Sequence, residues 1–143
     1  SLSGGGRAAV LLGDLNALTR TDYSPDQWAA LEATNAANGW QPPDAGCLAI
    51  LEAGGWRDCF NEVHGAAVAG QPQQAAESRW TAHVADPKFR IDYMWRSSAA
   101  AANLRAVGAF VLREATDSDH FPLVVDMALG APGSCGEAGG GGG

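Results

Sequence analysis

The sequence predicts an α/β fold of the α+β kind: one mostly antiparallel sheet with flanking helices. Three observations predict it. Apolar or β-branched runs of strand length lie at 8–12, 89–95, 104–112 and 122–129. Two segments with helix start and stop signals sit between the first run and the second. Turn residues punctuate the whole, and no internal repeat is present. Apolar residues make up 46% of the 143, an ordinary share for a globular chain, so the middle is expected to fold. The ends are different. Residues 1–6 read SLSGGG and 130–143 read GAPGSCGEAGGGGG, both flexible by composition, which confines the folded domain to about 7–129.

Each element has its own warrant. Ala8–Leu12, AAVLL, reads as a buried strand ended by Gly13-Asp14. After a polar loop, Ser24-Pro25-Asp26-Gln27 opens a helix: Ser at the N-cap, Pro at the first helical position, Gln where a capping box needs it. Trp28 and Leu31 follow at helical spacing, and Asn38-Gly39 stops the helix. Asp44 can cap a second helix running through Leu48, Leu51 and Glu52 to Gly54-Gly55. Trp56–Val63 is expected to be a turn followed by a segment packed on the sheet, and 65–78 a surface loop. Phe89–Trp95 is aromatic and β-branched after the turn Asp86-Pro87-Lys88. Leu104–Leu112 alternates imperfectly. Pro122–Leu129 begins with a Pro at the strand's first position, where Pro is tolerated.

The formal net charge is −7. A domain of that sign does not build the basic surface that grips a phosphate backbone by counterion release. A nucleic-acid partner would therefore need a cationic groove elsewhere or a bound metal ion. The same balance fits carboxylates that hold a divalent cation. Three cysteines, Cys47, Cys59 and Cys135, form no disulfide pattern and favour a reducing, intracellular compartment. No apolar run approaches the length of a membrane span.

Three polar clusters break apolar runs at strand ends: Gly13-Asp14-Leu15-Asn16, Arg90-Ile91-Asp92-Tyr93 and Ser118-Asp119-His120-Phe121-Pro122. Singly, each has a plain explanation. The first can be an Asx turn, Asp92 can pair with Arg90 or Arg113 on a solvated face, and His120 can be an exposed loop residue. Together, they place two carboxylates, an amide and an imidazole where they can converge on one sheet rim, the usual ligand position of α/β folds. Phosphodiester hydrolysis asks for such groups. Asp14 can orient and deprotonate a water, and Asn16 can donate to the phosphoryl group, the two sharing one side of a strand by alternation. His120 can donate a hydrogen bond or a proton, with a buried Asp92 holding its tautomer. Asp119 suits a hard cation such as Mg²⁺ or Mn²⁺.

GDLN, RIDYMW and SDHFPLVVDM, in that order, resemble conserved blocks of the endonuclease/exonuclease/phosphatase (DNase I-like) superfamily, and the likeness spans about 8–129. It implies the C-terminal half of a DNase I-like four-layered α/β sandwich. Asp14 and Asn16 would be the water-orienting base and phosphate contact, Asp92 the partner of His120, and Asp119 a residue of the metal site. The implied activity is metal-dependent hydrolysis of a phosphate ester by a nuclease, a sphingomyelinase-like phosphodiesterase or an inositol-phosphate phosphatase. Family members begin with a matching half that brings a metal-binding Glu, and nothing before Arg7 matches it. The isolated chain is therefore expected to be inactive or to pair with such a half, its inner sheet face being open to self-association. The alternative is a catalytically inactive remnant acting as an interaction module.

Other residues carry less. The five tryptophans read as core and interface anchors rather than a base-stacking platform. Cys47, Cys59 and His64 lack the spacing of a zinc site. His83, after Trp80-Thr81, can approach a phosphate but reads first as an edge-strand residue, and Lys88 and Arg90 read as exposed charges able to steer an anion.

Overall fold

The computed structural model describes residues 8–65, 79–98 and 104–130. They form a mixed α/β arrangement in the order β1 (Val10–Asp14), α1 (Pro25–Ala37), α2 (Gly46–Ala53), β2 (Trp56–Asp58), α3 (Cys59–His64), β3 (Asp92–Ser97), β4 (Leu104–Val111) and β5 (Leu123–Leu129). The loop expected over 65–78 and both Gly-rich ends lie almost entirely outside the described residues. Local chemistry accounts for the helix starts. Ser24 caps α1 in a reciprocal box, its Oγ accepting from the Gln27 N–H at 3.2 Å and its own N–H donating to Gln27 Oε1 at 2.9 Å. Asp44 serves α2 from one residue before the N-cap, accepting the Gly46 N–H at 2.7 Å. Asp58 caps α3 through the N–H groups of Phe60 and Asn61.

All strand pairs are antiparallel, but they form two sheets rather than the single expected one: β1-β3-β2 and β4-β5. α3 contacts both β3 of one sheet and β4 of the other. Trp56–Val63 was expected to be a turn and a packed segment; it is β2 followed by α3. β3 begins at Asp92, three residues after the expected strand start, because Phe89 is held in a separate bridge to Ala82. β1 is not buried as its apolar run suggests. It is an edge strand with one covered side, so Leu11 packs inward while Val10 and Leu12 remain 41% and 65% exposed.

Two small cores result. Leu48 of α2 packs with Tyr93 and Trp95 of β3, joined by Leu11, Leu15, Leu51 and Trp56. On the other side of the three-stranded sheet, Phe60 of α3 packs with Ala109, Val111 and Phe121, joined by Val63, Val84, Leu123 and Val125. Trp80 and Trp95 are core residues as expected of the tryptophans, whereas Trp40 projects into solvent beyond the end of α1.

Arg90 sits between these cores. It is fully buried, not the exposed cation its sequence context suggested. Its Nε donates to Asp22 at 2.7 Å, and its Nη2 donates to Asp22 at 2.9 Å and to Asp58 at 2.5 Å. The guanidinium lies 5.3 Å from the Phe60 ring centroid of one core and 4.5 Å from that of Tyr93 in the other. Arg79 adds a second cation at 2.8 Å from Asp22. Burial opposes charge on Arg90, but Asp22 and Asp58 outweigh it and hold the guanidinium more firmly protonated than in water. Apolar residues of matched volume could replace such a network at little cost, but removing one member strands the others without partners. Arg90→Met therefore should lose about 3–5 kcal/mol in urea denaturation. A loss below about 1 kcal/mol, the scale of an exposed pair, would show that the network is not the structural centre.

Candidate functional site

β1 ends at Asp14, β3 begins at Asp92, and the two residues face each other directly in the antiparallel register. Opposed carboxylates repel, so a purely structural sheet gains nothing from the pair. An imidazole compensates: His120 Nδ1 lies 2.9 Å from Asp92 Oδ2. Asp14, Asp92 and His120 each offer a ligand atom within 4.8 Å of the others'. Asn16 joins them through Asp14, whose Oδ1 accepts the Asn16 N–H at 2.8 Å and whose Oδ2 accepts its Nδ2–H at 3.2 Å. The expected route was strand alternation. Instead β1 has already ended, the Leu15 N–H makes a final bond to the Ile91 carbonyl at 2.8 Å, and Asn16 turns into the left-handed region at φ 46°. Asparagine tolerates that conformation because its amide bonds locally. The four residues Asp14, Asn16, Asp92 and His120 thus stand together on one rim.

The second arm of the rim is held by backbone. The Phe121 N–H donates to the Thr81 carbonyl at 2.8 Å and the Val84 N–H to the Asp119 carbonyl at 2.9 Å, so 81–84 and 119–121 run side by side. Thr81 is fully buried, and its Oγ1 accepts both the Ile91 and the Asp92 N–H groups at 3.2 Å. It fixes the start of β3 and the His120 segment at once. Sequence reasoning passed over Thr81, since a threonine beside a tryptophan carries no signal of this double acceptance.

Several expectations change at this rim. Asp92 is a fifth exposed rather than buried, with its side chain at 21% and that of His120 at 22%. Arg90 is not its partner and does not face the rim, being committed to Asp22 and Asp58. Lys88 pairs with Asp86 at 2.5 Å. His83 takes the second of its two expected places, at the rim: its Nδ1 lies 3.9 Å from Asp119 Oδ2, and its ring lies 5.9 Å from that of His120. Asp119 is 80% exposed and meets the imidazoles of His83 and His120 rather than the carboxylates.

Elsewhere the chemistry is closed. Cys47 is exposed and Cys59 buried, and with His64 they form no ligand group among the described residues. His64 Nε2 bonds the Ala109 carbonyl at 2.6 Å. Burial, then the charges of Glu62 and Asp58, push the Cys59 thiol up to about 11, so it is no nucleophile at neutral pH. A cleft of about 530 Å³ is lined in part by Arg96, Glu62 and Asp58; Arg96 pairs with Glu62 and Asp58 with Arg90, while the buried Arg96 Nη1 has no hydrogen-bond partner among the described residues. The cleft shares no lining residue with the rim, where donors and acceptors remain available.

A carboxylate can only accept, so Asp92 dictates that neutral His120 carries its proton on Nδ1 and presents a bare Nε2. Replacing Asp92 by Asn removes that demand. Two-bond ¹H–¹⁵N spectra should show the Nδ1–H tautomer dominant in the native chain and a mixed population in Asp92→Asn. An unaltered tautomer would dismiss Asp92 as the orienting group. Comparison with protein-family models, with curated proteins and with solved structures gave no match.

Proposed function

We propose that the chain takes part in metal-dependent hydrolysis of phosphodiester or phosphate-ester bonds, in a site of the endonuclease/exonuclease/phosphatase type. On this reading the two antiparallel sheets belong to the C-terminal half of a DNase I-like sandwich. The observation that carries it is the meeting of Asp14, Asp92 and His120, with Asn16 locked to Asp14, at one rim.

Each group has a role its chemistry allows. Asp14, exposed and accepting two hydrogen bonds from Asn16, orients a water toward phosphorus and accepts its proton. Asn16 spends one Nδ2–H on Asp14 and has a second for a phosphoryl oxygen. His120, held by Asp92 at Nδ1, turns Nε2 to the departing oxygen; in its imidazolium form, with both ring nitrogens protonated, it donates a hydrogen bond or a proton from Nε2. The donor set fits a hard cation. Asp14 and Asp92 offer carboxylate oxygens within 4.8 Å of each other, and Mg²⁺ or Mn²⁺ is commonly held by one or two carboxylates together with waters and substrate phosphates; Asp119, expected at the metal site, stands with the imidazoles of His83 and His120 instead. When bound, the cation supplies charge that a domain of net charge −7 lacks for an anionic ester, nucleic acid included. Neither ligand group among the described residues contains a glutamate, so full turnover is assigned to a site completed by a further carboxylate.

A second reading has its own support. Val10, Leu12, Phe110 and Leu129 are 41%, 65%, 48% and 81% exposed, an apolar display that suits a non-catalytic interaction module. Turnover separates the two. In a form whose site is completed by the further carboxylate, Asp14→Ala or His120→Ala should lower hydrolysis of bis-nitrophenyl phosphate with Mg²⁺ or Mn²⁺ by at least ~10²-fold. Native rates in either variant would remove those roles. The 143-residue chain alone should show little or no hydrolysis. Robust EDTA-sensitive turnover from it would prove that no further carboxylate is needed.

A further inference from the structure

A second ligand group stands beside the first and shares His120 with it. His83, Asp119 and His120 each place a ligand atom within 4.8 Å of the other two. Two imidazoles and one carboxylate are a different donor set from the carboxylate pair of Asp14 and Asp92. Hard cations prefer oxygen, whereas imidazole nitrogen suits Zn²⁺ and its borderline neighbours. We infer that His83, Asp119 and His120 form a site for a borderline transition-metal cation, typified by Zn²⁺, with three protein ligands and a coordination position left to water.

Three features beyond proximity support the site. The backbone bonds from Val84 to Asp119 and from Phe121 to Thr81 hold the two ligand-bearing segments in fixed register, so the donors are brought together by the fold. His120 is prepared for metal by Asp92, which occupies Nδ1 and leaves Nε2 with its lone pair, the outer arrangement typical of metal-bound histidines. His83 and Asp119 are 59% and 80% exposed, so both side chains are free to close the remaining distance to bond lengths of about 2.0–2.2 Å. Asp119 is held only weakly, accepting the Ser118 hydroxyl at 3.4 Å and meeting His83 at 3.9 Å.

The shared histidine gives the site a regulatory sense. His120 Nε2 cannot both ligate Zn²⁺ and donate to a departing oxygen. Zn²⁺ bound here therefore blocks the hydrolysis assigned above, a consequence that rests on that assignment, while the site itself does not.

Calorimetric titration of ZnCl₂ into the chain, in excess Mg²⁺ to fill oxygen-rich positions, tests the site without any turnover. The expected result is one Zn²⁺ per chain. Affinity should fall at least ~10-fold in His83→Ala, in the gentler His83→Gln and in Asp119→Ala, and by a similar factor in Asp92→Asn, which is not a ligand of this site and acts on it through His120. Circular dichroism of the exposed-site variants should match the native chain. Native affinity in both His83 variants overturns the proposal. So does a thiolate charge-transfer band in the Co²⁺-loaded chain, which would move the metal to the cysteines. In a hydrolytically active form of the protein, Zn²⁺ should inhibit the native sequence and His83→Ala should relieve the inhibition. Equal inhibition of both would overturn the regulatory link, with the binding result standing on its own.

Discussion

The burial of one guanidinium between two carboxylates and two aromatic rings is the constraint on which the remaining structure depends. Arg90 is in contact with both halves of the molecule: Tyr93 belongs to the core under α2, and Phe60 to the core around β4 and β5. Neither core is large. Each has only three or four fully buried apolar members, too little to hold two sheets together by area alone. The ion network fastens them at the seam. Asp22 comes from the turn after β1, Asp58 from the junction of β2 and α3, and Arg79 from the segment leading to Thr81. Four stretches of chain far apart in sequence are thus required to meet at one point. A charge cluster of this kind contributes more to specifying the arrangement than to net stability, because any misplacement leaves a buried ion without its partner.

The same seam aligns the rim. Two residues beyond Arg90 lies Asp92, with the Arg90 carbonyl accepting the Tyr93 hydroxyl at 2.6 Å and Thr81 accepting the Asp92 N–H. The Tyr93 hydroxyl also donates to the Ala17 carbonyl at 2.9 Å, which anchors the loop just after Asn16. Burial, and next the nearby Arg90 charge acting in the opposite sense, set the Tyr93 phenol; burial prevails, and the phenol keeps its proton at any physiological pH. Its single proton is therefore shared between the Arg90 and Ala17 carbonyls, which ties the two segments to one point. Asp14, Asn16 and Asp92 are positioned by backbone tied to buried, invariantly charged or invariantly neutral groups. Only the tips of their side chains meet solvent.

Much of this was legible in the sequence where the governing interactions are local. The capping box at Ser24 and Gln27 announces α1, and the β-branched and aromatic runs announce β3, β4 and β5 within a few residues. α3 was missed because six residues hold barely more than one turn, too short for a helical period, and its cap Asp58 is equally at home in a turn. The exposure of β1 is invisible locally, since an edge strand and a central strand can share the run AAVLL; what differs is the neighbour. Arg90 was misread for the same reason. Its partner Asp22 lies 68 residues away, and no spacing rule joins them. At the rim, Asp14 and Asn16 could be linked from adjacency, though an Asx turn and not a strand does the linking. His83 was set aside because the residues that give it a purpose, 119 and 120, approach it only in the folded chain.

The pairing of β1 with β3 has one more implication, for how faithfully the rim can be built. A slip of a single residue along that pair would turn Asp14 to the far side of the sheet and lift Leu11 off Tyr93 and Trp95. The misaligned chain would forfeit apolar contact and chemistry in the same movement. Correct alignment of the carboxylates is thereby proofread by hydrophobic packing: chains that reach the stable, aromatic-backed register have assembled the rim as well.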